Sequence, residues 1–512
     1  MRLAERFCLL LLSGAALAAC NSDSEDAPVA QFALPAHGTL QTGATEADLG
    51  MQISPALTPA FNSSIHDYVV DCSDSPTAEI SVAEPRSIGF HFLGTSGTAD
   101  PAQLEEHVRL QRSITLQPGQ GFRFALAALG NYSVRCLPPD FPPLTVEING
   151  IPQAQWYLFS PDLGPATAYY TIMTDSHGTP VWWWKQADLT IYDAKVLGAD
   201  EIAWSPAASG TAAGSLGSTA SYVLRRFDGT VLNTLTGNLD FHDMQVTPSG
   251  TYLVFRDIPR VCPPDCADMS AWGGKAQDGV LDAEILEIDG SSQILWSWRT
   301  RDHIALSETG DSGWYPGVGE DIIHMNALEP DGTDALMFSA RHLNAIYHIT
   351  KSTGAIDWKI GGTPRAESLT VIGDPRPTAT QGQVLSGQHD VRKWSDGSIS
   401  VHDNGTLVER PPTVVRYRLD LTNRTAEVVE QIQDTRVLAS SCCGAARLLP
   451  GGHWLVQWGT APFVTELDTG GRPVLTIQYN LGTVFSYRAV PVLYGVVSAD
   501  TLRNGMDAMS RH

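Results

Sequence analysis

At 512 residues the chain exceeds one ordinary domain, and two are expected. Its formal net charge of −23 excludes nucleic acid as a partner and any general attraction for anions, so an anionic substrate must be held by local arginine and histidine. Glycine and proline are abundant, apolar runs are short and long helical periodicity is missing, which points to an all-β chain.

In chain order, Arg2 and Arg6 precede an apolar run too short for a confident membrane span, which ends in small residues. Leu17-Ala18-Ala19-Cys20 resembles the lipobox of bacterial lipoproteins. That resemblance implies a signal peptide over 1–19, cleavage before Cys20, lipidation of Cys20 and export to the periplasm or cell surface. Residues 20–44, opening "NSDSEDAP", read as a polar tether, and Asn21 favours the outer membrane. No later stretch is long and apolar enough to cross a bilayer as a helix.

Residues 45–145 read as short strands and turns and resemble the small β-sandwich modules of bacterial surface proteins. Cys72 and Cys136 each end a strand-like run, and Cys262 and Cys266 bracket a tight "CPPDC" loop. In an oxidising compartment these four are disulfide candidates. Cys442 and Cys443 are adjacent, where a disulfide is strained and rare.

Residues 146–512 carry a repeat. A turn with Asp or Thr near Gly, followed by an apolar strand, recurs at Asp175, Asp228, Asp289, Thr350, Asp420 and Asp468. Six copies at 48- to 70-residue intervals predict a six-bladed β-propeller behind the N-terminal sandwich. The Gly-, Ala-, Ser- or Pro-rich stretches 198–220 and 361–387 read as long loops, as does 257–282 around Cys262 and Cys266. The tryptophans, among them Trp182, Trp296, Trp298 and Trp358, read as packing between blades.

A second hairpin recurs with turn glycines at Gly250, Gly332, Gly397 and Gly452. Eight residues before them stand His242, His324, His389 and Gly444. Equivalent positions on successive blades lie at one height around the channel, so three histidines should face one another. The hairpin turning at Gly332 also brings Arg341 back beside His324, adding a fixed cationic fork suited to a tetrahedral oxyanion. Asn326 shares the face of His324 and could donate to a bound oxygen. His342, on the opposite face by strand alternation, and His402 complete the candidate substrate-binding set. Asp243 and Asp390 each follow a histidine and could fix its tautomer; strand or turn hydrogen bonding is the alternative.

The segments "DIIHMNALEPDGTDALMFSARHLNAIYHITKSTGAIDWKIGG", "GQHDVRKWSDGSISVHDNG", "FHDMQVTPSGTYLVF", "SCCGAARLLPGGHWLVQWG" and "FSYRAV" resemble the bacterial arylsulfotransferases over roughly 150–495. The resemblance implies a six-bladed propeller behind a β-sandwich, with transfer of a sulfuryl group from an aryl sulfate to a phenolic acceptor. It implies no nucleotide sulfate donor, and no P-loop stands in the sequence. His389 then matches the nucleophile, and His242, His324 and Arg341 its assistants. No cofactor and no metal are called for, and a homodimer stays open. Two rivals remain: a histidine-coordinated metal hydrolase, which Arg341 in the same cluster opposes, and a non-catalytic propeller that binds a ligand or protein.

Overall fold

The computed structural model describes residues 43–510, apart from 74, 97, 100–108, 163–168, 208–219, 261–279, 309–312, 316–318, 377–382, 409 and 480–484. The signal peptide, Cys20, most of the tether, Cys262 and Cys266 lie outside the described residues. Residues 43–512 make one compact unit, and the chain is all-β. Among the described residues no helix is long and apolar enough to cross a membrane.

Two sheets open the unit. One pairs Met51–Ser54, Thr77–Val82 and Leu110–Thr115; the other pairs Asp67–Asp71, Gly130–Leu137, Gly121–Leu126, Phe90–Thr95 and Thr98–Ala99. They share one aromatic core in which Phe124 stacks on Tyr132 at 5.1 Å and Phe61 lies 5.4 Å from Tyr68. Strand alternation puts these rings on one face and leaves the polar residues outside. Cys72, just past the end of one strand, lies across from Cys136 with Cα atoms 5.7 Å apart, within disulfide reach.

Leu144–Ile148 then leaves these sheets and pairs with Pro473–Tyr479. From there six sheets each carry a four-strand antiparallel meander, taken in chain order among the described residues. The first is Trp156–Asp162, Tyr169–Asp175 and Pro180–Gln186, joined by the C-terminal strand Phe485–Val492. The later meanders begin at Thr190, Gln245, Met325, His389 and Ala445. The repeat turns have a simple chemistry: Asp175, Asp289 and Asp468 each accept two backbone N–H groups through Oδ1, closing the turn on their own side chains.

The tryptophans join neighbouring meanders. Trp182 Nε1 donates to Phe227 O at 2.8 Å, and Trp298 Nε1 to Gly354 O at 2.9 Å, each reaching from a last strand to a turn of the next sheet. The loop expectation fails in part. Strands Glu201–Ala207, Tyr252–Arg260, Val280–Ile288 and Thr370–Ile372 run into the three stretches read as loops. Their apolar alternation outweighs the small-residue composition of the loop centres.

The C-terminal helix Ala499–Met509, capped by Ser498 Oγ on Thr501 N–H at 3.0 Å, binds both halves of the unit together. Leu502 and Met506 enter the apolar core beside Trp183 and Phe227. On its other side Asp507 pairs with Arg123 and Arg135 at 2.8 Å each, and Arg503 with Asp67 at 2.7 Å. Gly505 lets the helix approach: a Cβ there would stand 2.5 Å from Phe227 O.

Candidate functional site

Gly250, Gly332, Gly397 and Gly452 all adopt positive φ, between +71° and +85°, which fixes each hairpin turn and its register. The residues eight positions earlier therefore enter the first strands of four consecutive meanders. His324 and Gly444 directly precede Met325 and Ala445, His389 begins its strand, and His242 lies just ahead of Gln245. The hairpin through Gly332 closes as its spacing predicts, with Arg341 N–H donating to His324 O at 2.9 Å.

The three histidines converge. The ring centroids of His242 and His324 are 5.1 Å apart, and His389 lies near enough for both rings to act on its charge; His342 joins them with its ring 4.6 Å from that of His324. His242 Nδ1 lies 2.6 Å from Asp240 Oδ1, and His324 Nδ1 2.6 Å from Asp321 Oδ2. A carboxylate only accepts, so both rings carry the proton on Nδ1 and turn Nε2 toward the cluster. His324 holds φ at +48°, a strained conformation for a non-glycine residue, fixed by Asp321 Oδ1 accepting its N–H at 2.9 Å. Burial outweighs the attraction of Asp321 and pushes the His324 imidazole down to about 3.

His342 is buried and works through Arg341. Its Nδ1 donates to Asp321 O at 2.6 Å, so its Nε2 accepts from Arg341 Nη1 at 2.7 Å. Arg341 Nη2 donates to Ser441 O at 3.0 Å, and its Nε has no partner among the described residues. His342 is thus a support for the guanidinium.

His389 is 1% exposed. Asn404 Nδ2 lies 2.8 Å from Gly387 O and 3.0 Å from Cys443 O, which uses both its hydrogens on carbonyls. His389 Nδ1 therefore bears its own proton and donates to Gly387 O at 3.1 Å. Its Nε2 keeps a lone pair and accepts the Cys443 N–H at 3.3 Å. Burial, then the charges of Arg341, His324 and His242, hold this imidazole well below the ordinary histidine range, so it is neutral at pH 7.

Asn326 does share the cluster, but its Nδ2 donates to Gln388 O at 2.9 Å and ties the His324 and His389 sheets together. His402, the ladder partner of His389, lies behind Gly444, where a Cβ would meet its Cε1 at 2.5 Å. Neither of its ring nitrogens has a partner among the described residues, and burial pushes it down to about 4.

Of the two readings left open for Asp243 and Asp390, the structure shows hydrogen bonding to the backbone and not a hold on the preceding histidines. Asp243 lies ahead of its strand and Asp390 holds φ at +63°, and each carboxylate bonds to the next sheet. With Asp193 they form a repeat of their own. Asp193 accepts Met244 N–H, Asp243 accepts Leu328 N–H and Asp390 accepts Ala446 N–H, at 2.9 to 3.0 Å, each reaching the next sheet. Arg488 contacts all three, and Lys195, Arg392 and Arg447 complete the buried network. Burial opposes the charge on Asp243 and Asp390, yet these cations hold both carboxyls well below the usual range.

Asp240 and Asp321, the carboxylates that hold the histidines, were missed. They stand two and three residues before their partners, in "DFH" and "DIIH", a local spacing that could have exposed them. Asp321, His324 and His342 also offer donor atoms within 4.8 Å of one another. Both Nδ1 protons are already placed on Asp321 oxygens and a guanidinium sits on His342 Nε2, which suits a hydrogen-bonded oxyanion site better than a dication.

The chain matches no curated protein. A protein of unknown function from Bacteroides caccae is similar at 11% identity, covering 66% of this chain and 99% of that one, with a TM-score of 0.41. Virginiamycin B lyase from Staphylococcus aureus gives 11% identity, 67% and 90% coverage and a TM-score of 0.32; the Dos1 propeller gives 9%, 70%, 90% and 0.30. At TM-scores under 0.5 none of these likenesses bears on this chain's fold or activity. The family model for arylsulfotransferase (ASST) matches residues 224–480, a span of half the chain that includes the whole histidine–arginine cluster, and the chain belongs to that family.

Proposed function

We propose that the chain moves a sulfuryl group from an aryl sulfate to a phenolic acceptor through a sulfo-histidine on His389. The observation that supports this best is a buried, neutral His389 with its lone pair on Nε2, close enough to the Arg341 guanidinium and to two more imidazoles for their charges to act on it. Nε2 attacks sulfur, the N–S bond forms and the S–O(aryl) bond breaks, and the phenolate leaves with the bonding pair. Arg341 stabilises the sulfuryl oxygens, its fork held by His342 and Ser441. His242 and His324, each with Nδ1 on a carboxylate, are the groups that hand the departing phenolate its proton. The same ring, left neutral, then takes the acceptor's proton as its oxygen displaces His389.

The architecture fits this reading as a six-bladed propeller over 146–512 behind a sandwich over 45–145. The six meanders are the blades, and Phe485–Val492 closes the ring in the first. The Cys72–Cys136 pair is read as a disulfide and Cys20 as a lipid anchor on the outer membrane; mass spectrometry of the mature N-terminus tests the anchor. The activity itself is tested with a chromogenic aryl sulfate, with and without added phenol. Phenol-dependent release of the chromophore is expected, and a well-folded protein that releases none favours the binding propeller.

A further inference from the structure

The segment Ser440–Cys443 lies across both reactive groups of the site. Ser441 O takes Arg341 Nη2 at 3.0 Å, and Cys443 N–H points at His389 Nε2 at 3.3 Å. That amide is firmly aimed. The 442–443 peptide is trans, with Cα atoms 3.8 Å apart, so its C=O and N–H point in opposite directions. Ser440 Oγ donates to Cys442 O at 3.1 Å, which fixes the plane and turns the N–H to His389. Ser440 is itself buried, and its Oγ accepts Thr460 N–H at 3.2 Å. The next peptide is held by Asn404 Nδ2 on Cys443 O, and Cys443 sits at φ +69°.

We propose that the Cys443 backbone N–H is an oxyanion donor to the sulfuryl group on His389 and that Ser440 is the positioning residue that aims it. The inference rests on the sulfuryl-transfer reading above. Before reaction the amide donates to the Nε2 lone pair. When that lone pair forms the N–S bond and the S–O(aryl) pair departs with the phenolate, the amide loses its acceptor. It is buried against the ring, and the sulfuryl oxygens are the acceptors that arrive beside it. The N–H thereby exchanges a neutral nitrogen for a negatively charged sulfuryl oxygen, a stronger hydrogen bond, and that gain favours the transition state over the ground state. One short segment thereby aims both the amide and, through Ser441 O, the Arg341 guanidinium at the sulfuryl oxygens.

Ser440→Ala keeps the amide and removes what aims it, and Ser440→Thr restores the hydroxyl. Stopped-flow release of nitrophenolate from nitrophenyl sulfate, without acceptor, reads the first half-reaction. Ser440→Ala should slow the burst by about tenfold or more, as part of the roughly 10²–10³-fold effect of one oxyanion donor, with the donor KM little changed, and Ser440→Thr should recover it. A wild-type burst in folded Ser440→Ala, or a loss confined to KM, overturns the inference. A second measurement needs no variant: in protein labelled with nitrogen-15 cysteine, the Cys443 amide resonance should move when donor is added, and an unmoved resonance on an enzyme carrying the adduct overturns it. A wild type that releases no nitrophenolate sinks the sulfuryl-transfer reading itself, and this inference with it.

Discussion

His402 should make the protein acid-sensitive, and His402→Leu should relieve it. The ring is fully buried against Gly444, has no hydrogen-bond partner among the described residues and is pushed down to about 4 by burial. The unfolded chain binds a proton near pH 6.5 and the folded protein near 4, so unfolding takes up a proton between these values. Stability is therefore unaffected above pH 6.5 and is lost as pH falls toward 4. At pH 5 the unfolded histidine is about 97% protonated and the folded one about 9%, which amounts to roughly 2 kcal/mol. Leucine has similar bulk and no proton to bind. The stability difference between variant and wild type should shift by about 2 kcal/mol in the variant's favour between pH 7.5 and pH 5. At pH 7.5 the variant should be neutral or slightly more stable, because two unpaired buried nitrogens are removed. Urea melts followed by tryptophan fluorescence at the two pH values give the comparison. An unchanged difference would refute the reasoning, since it would mean that His402 titrates alike in both states.

The buried network and the nucleophile give two further tests. Asp390→Ala leaves Arg392, Arg447 and Arg488 short of a buried carboxylate and should cost about 3–5 kcal/mol, read by urea denaturation; a loss under about 1 kcal/mol contradicts the role given to the network. Because His389 is held well below the ordinary histidine range, the acid limb of kcat/KM for the donor should fall below about pH 6.5, and a limb centred above that value speaks against a neutral buried nucleophile.

Much of the site was legible because hairpins count residues. Once a glycine takes positive φ in each turn, the eighth residue before it has a fixed place, and His242, His324 and His389 follow. The same count left Gly444 as an exception without a cause. The cause is three-dimensional: His402, from the neighbouring sheet, fills the space where a side chain would stand. Adjacency in sequence left Asp243 and Asp390 open between fixing a tautomer and bonding to the backbone, and only the neighbouring sheet decides for the second. Their charged partners, Arg392, Arg447 and Arg488, come from several strands, and nothing local announces them. The hold of Ser440 and Asn404 on the Cys443 peptide is likewise invisible in sequence, since backbone direction at a positive-φ cysteine has no residue code.

The central claim is that His389 takes the sulfuryl group. Rapid-quench peptide mass spectrometry after mixing with aryl sulfate alone tests it most directly. One sulfuryl adduct should appear on the peptide carrying His389, be discharged by added phenol and be missing in His389→Ala, which should also release no phenol from the donor. An adduct on another residue, or donor turnover that survives in His389→Ala, would contradict the account.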